Sequence, residues 1–272
     1  MLKLIALTDQ HPQRTYFVNR INELFDISAV FVINQSKSYE LSEYMRLLFR
    51  SPRNILGRAS TIINNLLMRT LDTSETRKRE LYDKILGSSW QKIEINNVIR
   101  IDKEHLNTES TAKQIRRFSP DIILVRSTPI LNSIVFGEAK KFCLNFHKGL
   151  IPYYRGTSCL YWPIYQGQYD LLGVTIHQIN EQTDAGAIAN QAQYVLEPGD
   201  TFSSIEVKTT KLGTDLMIKT LKQIENGTVK WTEPELSKGK VYYSKEFTYG
   251  IKRQVINRLK MKGISTPQLR EE

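Results

Sequence analysis

Apolar and polar positions divide most of the chain into alternating strand and helix patterns. Residues 2–8 form an apolar run of strand length, and residues 27–33 form a second, rich in β-branched side chains. Between them Tyr16, Phe17, Ile21, Leu24 and Phe25 recur at helical spacing within residues 14–25. Strand, helix and strand in so short a span predict a parallel βαβ unit. After an interruption the pattern resumes, with a short strand in 93–101, a basic helix over 109–118 and a central buried strand at 122–125. A further apolar run covers 142–146, an alternating segment covers 172–179, and a long helix fills 202–226. Asp200 or Thr201 is placed to cap that helix and Gly227 to stop it, with Leu212, Leu216, Leu221 and Ile224 as its buried stripe.

Residues 41–89 break the alternation with three short apolar helical patterns studded with Arg and Lys, and read as a helical insertion on the sheet. Beyond Thr228 the texture changes again: a short strand or hairpin at 238–244, a basic helix at 249–261 and a loosely held tail. The expected organisation is a catalytic domain over 1–227, carrying the insertion, and a small C-terminal extension over 228–272. The fold class is α/β, with a parallel Rossmann-like sheet.

A hydrophobic content of 40%, with 3 Trp, 13 Tyr and 10 Phe, supplies a real core for 272 residues. The formal charge of +10 favours anionic partners such as a nucleotide diphosphate or RNA. Cys143 and Cys159 have neither metal-ligand nor redox spacing. The first eight residues are too short an apolar run for a signal peptide and lack a cleavage pattern, and no run approaches bilayer length. A soluble, cytoplasmic protein with no membrane partner is expected.

The candidate chemistry lies in two stretches, 143–156 and 174–188. Side chains alternate along a strand, so Asn145 and His147 share one face while Leu144 and Phe146 point the other way. An amide donor beside an imidazole, at the carboxyl end of a parallel strand, suits stabilisation of an oxyanion and transfer of a proton. Asp184 sits in a polar loop after the strand at 172–179, where it can lean back, orient His147 and raise its pKa. His177, inside that strand without a paired cysteine or carboxylate at ligand spacing, reads as a packed histidine; no metal is expected. The turn at 8–12 contains no glycine and so lacks a phosphate-cradling loop.

Asn145-x-His147, then Leu150-Ile151-Pro152-x-Tyr154-Arg155-Gly156, then Gly173-Val174-Thr175-Ile176-His177, then Asp184-x-Gly186, occur in order at fitting distances. This series resembles the formyltransferase family, which moves a formyl group from 10-formyltetrahydrofolate to an amine. Lys148-Gly149 departs from the Pro-Ser or Asn-Ser that many members carry. The resemblance implies Asn145, His147 and Asp184 as catalytic residues. It implies folate contacts at Ser127, Thr128, Ile130, Leu150, Gln182 and Thr183, and acceptor contacts at Tyr153, Tyr154, Arg155 and Gly156.

The glycine-free first turn separates the chain from the glycinamide-ribonucleotide branch. The 45-odd residues after Thr228 are too few for the barrel that tRNA-directed relatives append, which counts against a tRNA acceptor. The size suits enzymes that formylate nucleotide-linked amino-sugars for surface polysaccharides, and a homodimer is the expected assembly. The rival readings are methionyl-tRNA formylation, hydrolysis of the formyl donor, and a non-catalytic folate or nucleotide binder.

Overall fold

The structure is a computed structural model; it describes residues 2–34, 63, 64, 67 and 75–264. Its centre is a seven-stranded sheet. The strands are β1 (Leu4–Asp9), β2 (Ile27–Asn34), β3 (Val98–Asp102), β4 (Ile122–Arg126), β5 (Phe142–His147), β7 (Gly173–Gln178) and β8 (Ile188–Gln193), in the order β3-β2-β1-β4-β5-β7-β8. The first five are mutually parallel; β7 runs antiparallel to β5, and β8 antiparallel to β7, so the sheet is mixed rather than wholly parallel. Two further strands, β6 (Tyr154–Gly156) and β9 (Lys240–Tyr242), form a small parallel sheet of their own.

The two-residue period of the strands builds a core on each face. Leu4, Ala6, Val30, Val32, Leu124, Leu144 and Phe146 point to one side, where Phe17, Ile21, Met217 and Leu221 cover them. Those four come from helices α1 (Pro12–Asn22) and α6 (Phe202–Glu225). Ile5, Leu7, Phe31, Ile123, Val125 and Cys143 point to the other, against Ile115 of α3 (Glu109–Arg116) and Val135 of α4 (Ser133–Phe136). A third cluster gathers Tyr154, Tyr161, Trp162, Tyr242 and Phe247 around α5 (Trp162–Gln166) and α7 (Tyr249–Ile264).

The helix starts follow local chemistry. The His11 side chain accepts from Gln13 N and Pro12 opens α1, where its missing N–H costs nothing. Thr201 and Ser204 form a reciprocal capping box at the start of α6, and Gly227 adopts φ +67° just beyond its end. The first helix ends at Asn22 rather than 25, so Leu24, expected on its apolar side, is 50% exposed, whereas Phe25 still packs inward. The segment at 238–244 is not a hairpin; its strand pairs with β6, far back in the chain. Of the three insertion helices, the last is α2 (Glu75–Leu86), whose Tyr82 and Leu86 pack with Tyr16 and Val207. The first and most of the second lie outside the described residues, as does the tail from 265 on.

One close approach brings α6 down onto β5. A Cβ at Gly213 would lie 2.0 Å from the Phe146 ring, so the absence of a side chain there allows the helix to sit over that residue. Phe146 lies between Asn145 and His147 in β5, so this packing sets the height of the strand end that carries both.

Candidate active site

β5 presents Asn145 and His147 on the face opposite Leu144 and Phe146, as the alternation requires. The antiparallel register with β7 places His177 directly opposite Asn145 and Thr175 opposite His147. Cross-strand partners share a face. His177 therefore joins the cluster: its Nε2 lies 3.1 Å from Asn145 Nδ2 and 3.4 Å from Asp184 Oδ1. The ring is packed, as its sequence context suggests, and is also a member of the polar group. Its Nδ1 sits 2.7 Å from the Gln178 carbonyl, which can only accept, so Nδ1 carries the proton and Nε2 accepts from Asn145.

Asp184 is the hub. Its Oδ1 accepts from Asn145 Nδ2 at 3.2 Å, its Oδ2 accepts from the Gly156 N–H at 2.8 Å, and His147 Nδ1 lies 3.3 Å from Oδ2. The residue has φ +46°, a left-handed conformation that an aspartate tolerates better than most side chains. Two residues on, a Cβ at Gly186 would lie 2.1 Å from the Gln178 carbonyl oxygen. The β7–β8 loop is thus folded tightly back, which turns the Asp184 carboxylate over the end of β5.

Burial raises the Asp184 carboxyl pKa, but His147, His177 and the Gly156 N–H together outweigh it and hold the group well below the usual carboxylate range. For His147 the balance runs the other way. Burial lowers its pKa, and the neighbouring carboxylate offsets only part of that. The expectation that Asp184 leaves His147 with a raised pKa is therefore corrected: desolvation dominates, and the neutral ring is favoured. Both neighbours of the ring can only accept; the shorter contact, Nε2 to the Tyr154 carbonyl at 2.8 Å against Nδ1 to the carboxylate at 3.3 Å, holds the single proton of the neutral ring on Nε2.

These groups line a cavity of about 620 Å3 outside the carboxyl ends of β4 and β5. That size is in the range of small-molecule binding sites. Ser127, Thr128, Ile130, Gln182, Thr183 and Gly156 line it, as do Asn145, His147 and Asp184. Leu150, Tyr153, Tyr154 and Arg155 are not among its lining residues. The Tyr154 phenol is hydrogen-bonded between the side chains of Gln166 and Gln168, and its ring stacks on Tyr242, so its backbone carbonyl and not its side chain serves the site. Leu150 instead packs beside Gly173, Arg155 is buried, and Tyr153 is partly exposed. Ser127, Ser158 and Asp184, all at positive φ without being glycine, border the cavity together, a clustering of strained backbone typical of binding sites.

With this geometry in place, comparison with known proteins is decisive for the family. Residues 28–221 match the family described as Formyl transferase. The chain belongs to that family. Among curated relatives, the methionyl-tRNA formyltransferase of Thermotoga neapolitana is 31% identical over 136 residues, 50% of this chain and 43% of that protein. That of Flavobacterium johnsoniae is 28% identical over 190 residues, 69% of this chain and 60% of that protein. This formyl transferase chain thus spans less than half the length of the first of these relatives. Among solved structures, a sugar N-formyltransferase from a Shewanella species superposes with TM-score 0.57 at 16% identity, covering 95% of this chain and 88% of the other. A 4-N formyltransferase from Francisella tularensis gives TM-score 0.55 at 15% identity, covering 98% and 89%. These likenesses establish the formyl transferase fold.

Several lining residues of this formyl transferase domain escape a reading by motif. Arg14, Arg126, Lys148 and Glu206 converge on one end of the cavity. The Lys148 ammonium donates to Gln13 Oε1 at 2.9 Å and to the Glu206 carbonyl at 2.8 Å, and burial pulls its pKa well down against the opposing pull of Glu206. Arg126, buried to 2% exposure, donates to the Gln13 carbonyl and to Thr210 Oγ1 and stands over the Phe146 ring at 4.4 Å. The signal available in the sequence was a charge closing an apolar strand run, at Arg126, and the departure at Lys148. Among the described residues no group of histidine, cysteine or acidic side chains is arranged to hold a metal, and no helix is long and apolar enough to cross a membrane.

Proposed function

We propose that this chain transfers a formyl group from 10-formyltetrahydrofolate to the primary amine of a nucleotide-linked amino-deoxysugar. The observation that carries the transfer chemistry is the convergence of Asn145, His147 and Asp184 on one cavity at the end of β5.

The chain's own groups divide the work. The acceptor amine attacks the formyl carbon, and Asn145 Nδ2 donates to the oxygen that gains charge. In the ground state that amide is shared between Asp184 Oδ1 and His177 Nε2, so the developing oxyanion replaces one of these partners. The pair formed by Asp184 Oδ2 and His147 Nδ1, 3.3 Å apart, takes up the proton that the attacking amine sheds. The carboxylate steadies the imidazolium so formed. When the tetrahedral intermediate collapses, the same proton passes to the departing nitrogen of the donor, and the balance closes on a formamide and tetrahydrofolate. With Nε2 committed to the Tyr154 carbonyl, His147 acts here in proton transfer and not as a second oxyanion donor.

The donor fits the wall formed by Ser127, Thr128 and Ile130 after β4 and by Gln182 and Thr183 before Asp184, where backbone and hydroxyl groups meet the exposed apolar face of Ile130. The sugar reading is supported by coverage. An N-formyltransferase from Helicobacter canadensis, solved with folinic acid and dTDP-3-aminofucose, covers 94% of this chain and 80% of its own at TM-score 0.54. Cytoplasmic residence as a soluble enzyme belongs to this reading, as does a role in surface polysaccharide synthesis. The division at residue 227 into catalytic domain and extension is likewise proposed. The second reading, methionyl-tRNA as acceptor, is favoured by the sequence relatives.

The deciding assay supplies 10-formyltetrahydrofolate with dTDP- and UDP-linked 3-amino and 4-amino deoxysugars in parallel with methionyl-tRNA. Turnover of an amino-sugar alone supports the reading. Turnover of methionyl-tRNA alone replaces it, and release of formate with neither acceptor converts the enzyme into a hydrolase.

A further inference from the structure

One wall of the cavity comes from the C-terminal extension. Residues 241–244 line it beside Gly156 and Ser158. Tyr242 is what locks this wall in place. Its ring stacks on Tyr154 at 5.5 Å and on Trp162 at 4.7 Å, its phenol oxygen accepts from Gln166 Nε2 at 3.1 Å, and its carbonyl accepts from the Thr157 N–H at 2.9 Å. The fit leaves no slack: a Cβ at Gly156 would lie 2.2 Å from the Tyr242 carbonyl oxygen, and one at Gly239 2.0 Å from the Pro152 carbonyl oxygen. β9 is therefore held against the segment whose Tyr154 carbonyl and Gly156 N–H serve His147 and Asp184.

Tyr243 follows with the opposite character. It leaves the aromatic cluster that holds Tyr242 and is 59% exposed, yet it borders the cavity. Its backbone is fixed on both sides: its N–H donates to Glu246 Oε2 at 2.6 Å and its carbonyl accepts from the Glu246 N–H at 2.9 Å. A single exposed aromatic on a surface needs no explanation. One set on a rigid backbone at the mouth of a reaction cavity offers a flat π-face whose ordering has already been achieved in folding.

We propose that Tyr243 is a specificity-determining residue whose ring stacks on the base of the nucleotide-linked acceptor. The inference rests on the nucleotide-linked amine reading above. The donor is assigned to the walls from β4 and the β7–β8 loop, which leaves the β6–β9 wall for the acceptor. In such an acceptor the base lies at the end remote from the amine, separated from it by two sugars and a diphosphate. A platform for it belongs at the rim and not beside Asp184, and Tyr243 occupies the rim. Stacking is tolerant of base identity, so both pyrimidine and purine nucleotides are accommodated to differing degrees.

The test compares wild type, Tyr243→Ala and Tyr243→Phe with 10-formyltetrahydrofolate and the amino-sugar nucleotide that the wild type turns over, alongside titration with the matching nucleoside diphosphate alone. Tyr243→Ala is expected to raise the acceptor KM and weaken nucleoside diphosphate binding by about tenfold, with kcat and the donor KM within about twofold of wild type. Tyr243→Phe keeps the ring and stays near wild type. The exposed position predicts unchanged melting temperatures for both. An unchanged acceptor KM in Tyr243→Ala, on a protein that does turn over a nucleotide-linked amine, overturns this inference alone. A rise in the donor KM instead places the ring on the folate and also overturns it. A wild-type protein inactive on every nucleotide-linked amine removes the acceptor reading and this inference together.

Discussion

His147 Nδ1 faces Asp184 Oδ2 at 3.3 Å while the opposite ring nitrogen is committed to the carbonyl of Tyr154 at 2.8 Å. Both neighbours can only accept, so the shorter contact keeps the single proton of the neutral ring on Nε2 and turns the other nitrogen towards a carboxylate. A proton arriving at Nδ1 is immediately shared with an anion in a site of low dielectric. The pair is built to take up one proton and give it back.

Asp184→Asn preserves shape and keeps an oxygen for the Gly156 N–H, but removes the charge that supports protonated His147. A loss of formyl transfer on the order of a hundredfold or more is expected, with a circular-dichroism spectrum like wild type. A variant that retained wild-type turnover in the formyl-transfer assay would remove Asp184 from the chemistry.

Asn145→Ala removes the amide that joins Asp184 Oδ1 to His177 Nε2. Loss of one oxyanion donor predicts a drop in kcat of roughly a hundredfold, read in single-turnover kinetics with KM values little altered. His177→Asn is expected to cost less, because that ring holds Asn145 and does not itself face the attacking amine.

Tyr154→Phe separates the motif from the geometry. The phenol serves Gln166 and Gln168, and the side chain is not among the cavity-lining residues. Turnover is expected to stay near wild type while stability falls by about 1 kcal/mol, measured by urea denaturation. A large rise in acceptor KM with unchanged stability would return Tyr154 to the substrate site.

Gly213→Ala introduces a Cβ where the Phe146 ring already stands, at 2.0 Å. Overpacking of this kind costs about 1–3 kcal/mol. Because Phe146 lies between Asn145 and His147, kcat is expected to fall along with the urea midpoint. Full activity in a destabilised variant would show that α6 does not set the height of β5.

Protonation of buried histidines should destabilise the protein on the acid side. Burial, reinforced by Arg14, lowers His11 from 6.5 to about 3, and burial also lowers His147. The unfolded chain then binds protons that the folded chain refuses as pH falls below 6.5, so stability declines from there towards the folded pKa. Asp184, held below its usual range, adds a loss of the same sign at lower pH, beneath 3.8. Between pH 7.5 and pH 5 the melting midpoint of wild type is expected to drop by roughly several degrees, and less in His11→Asn, which keeps an N-cap side chain. Parallel slopes for the two proteins would exclude His11 as a source.

The residues that declared themselves along the chain did so through local rules. The apolar runs of β1, β2, β4 and β5 follow from each strand being covered on both faces, and the alternation of side chains along a strand placed Asn145 and His147 on one side before any neighbour was known. Thr201 at the start of α6 and Gly227 beyond its end were equally plain, because capping is a matter of a few adjacent atoms. The loop carrying Asp184 was legible as a polar turn next to a glycine.

What the sequence by itself determined is therefore most of the central strands and helices, the α/β class, and which polar groups stand at strand ends. The tertiary structure alone decided how those groups pair. The antiparallel register of β5 with β7 brought His177 into the cluster, and the carbonyl of Tyr154 chose the tautomer of His147. The β6–β9 sheet carried Tyr243 to the cavity across a long gap in the chain. Periodicity and capping act over a few residues and leave a mark in the order of amino acids. Register, tautomer and cavity walls arise from contacts between distant segments, and no short stretch of chain contains them.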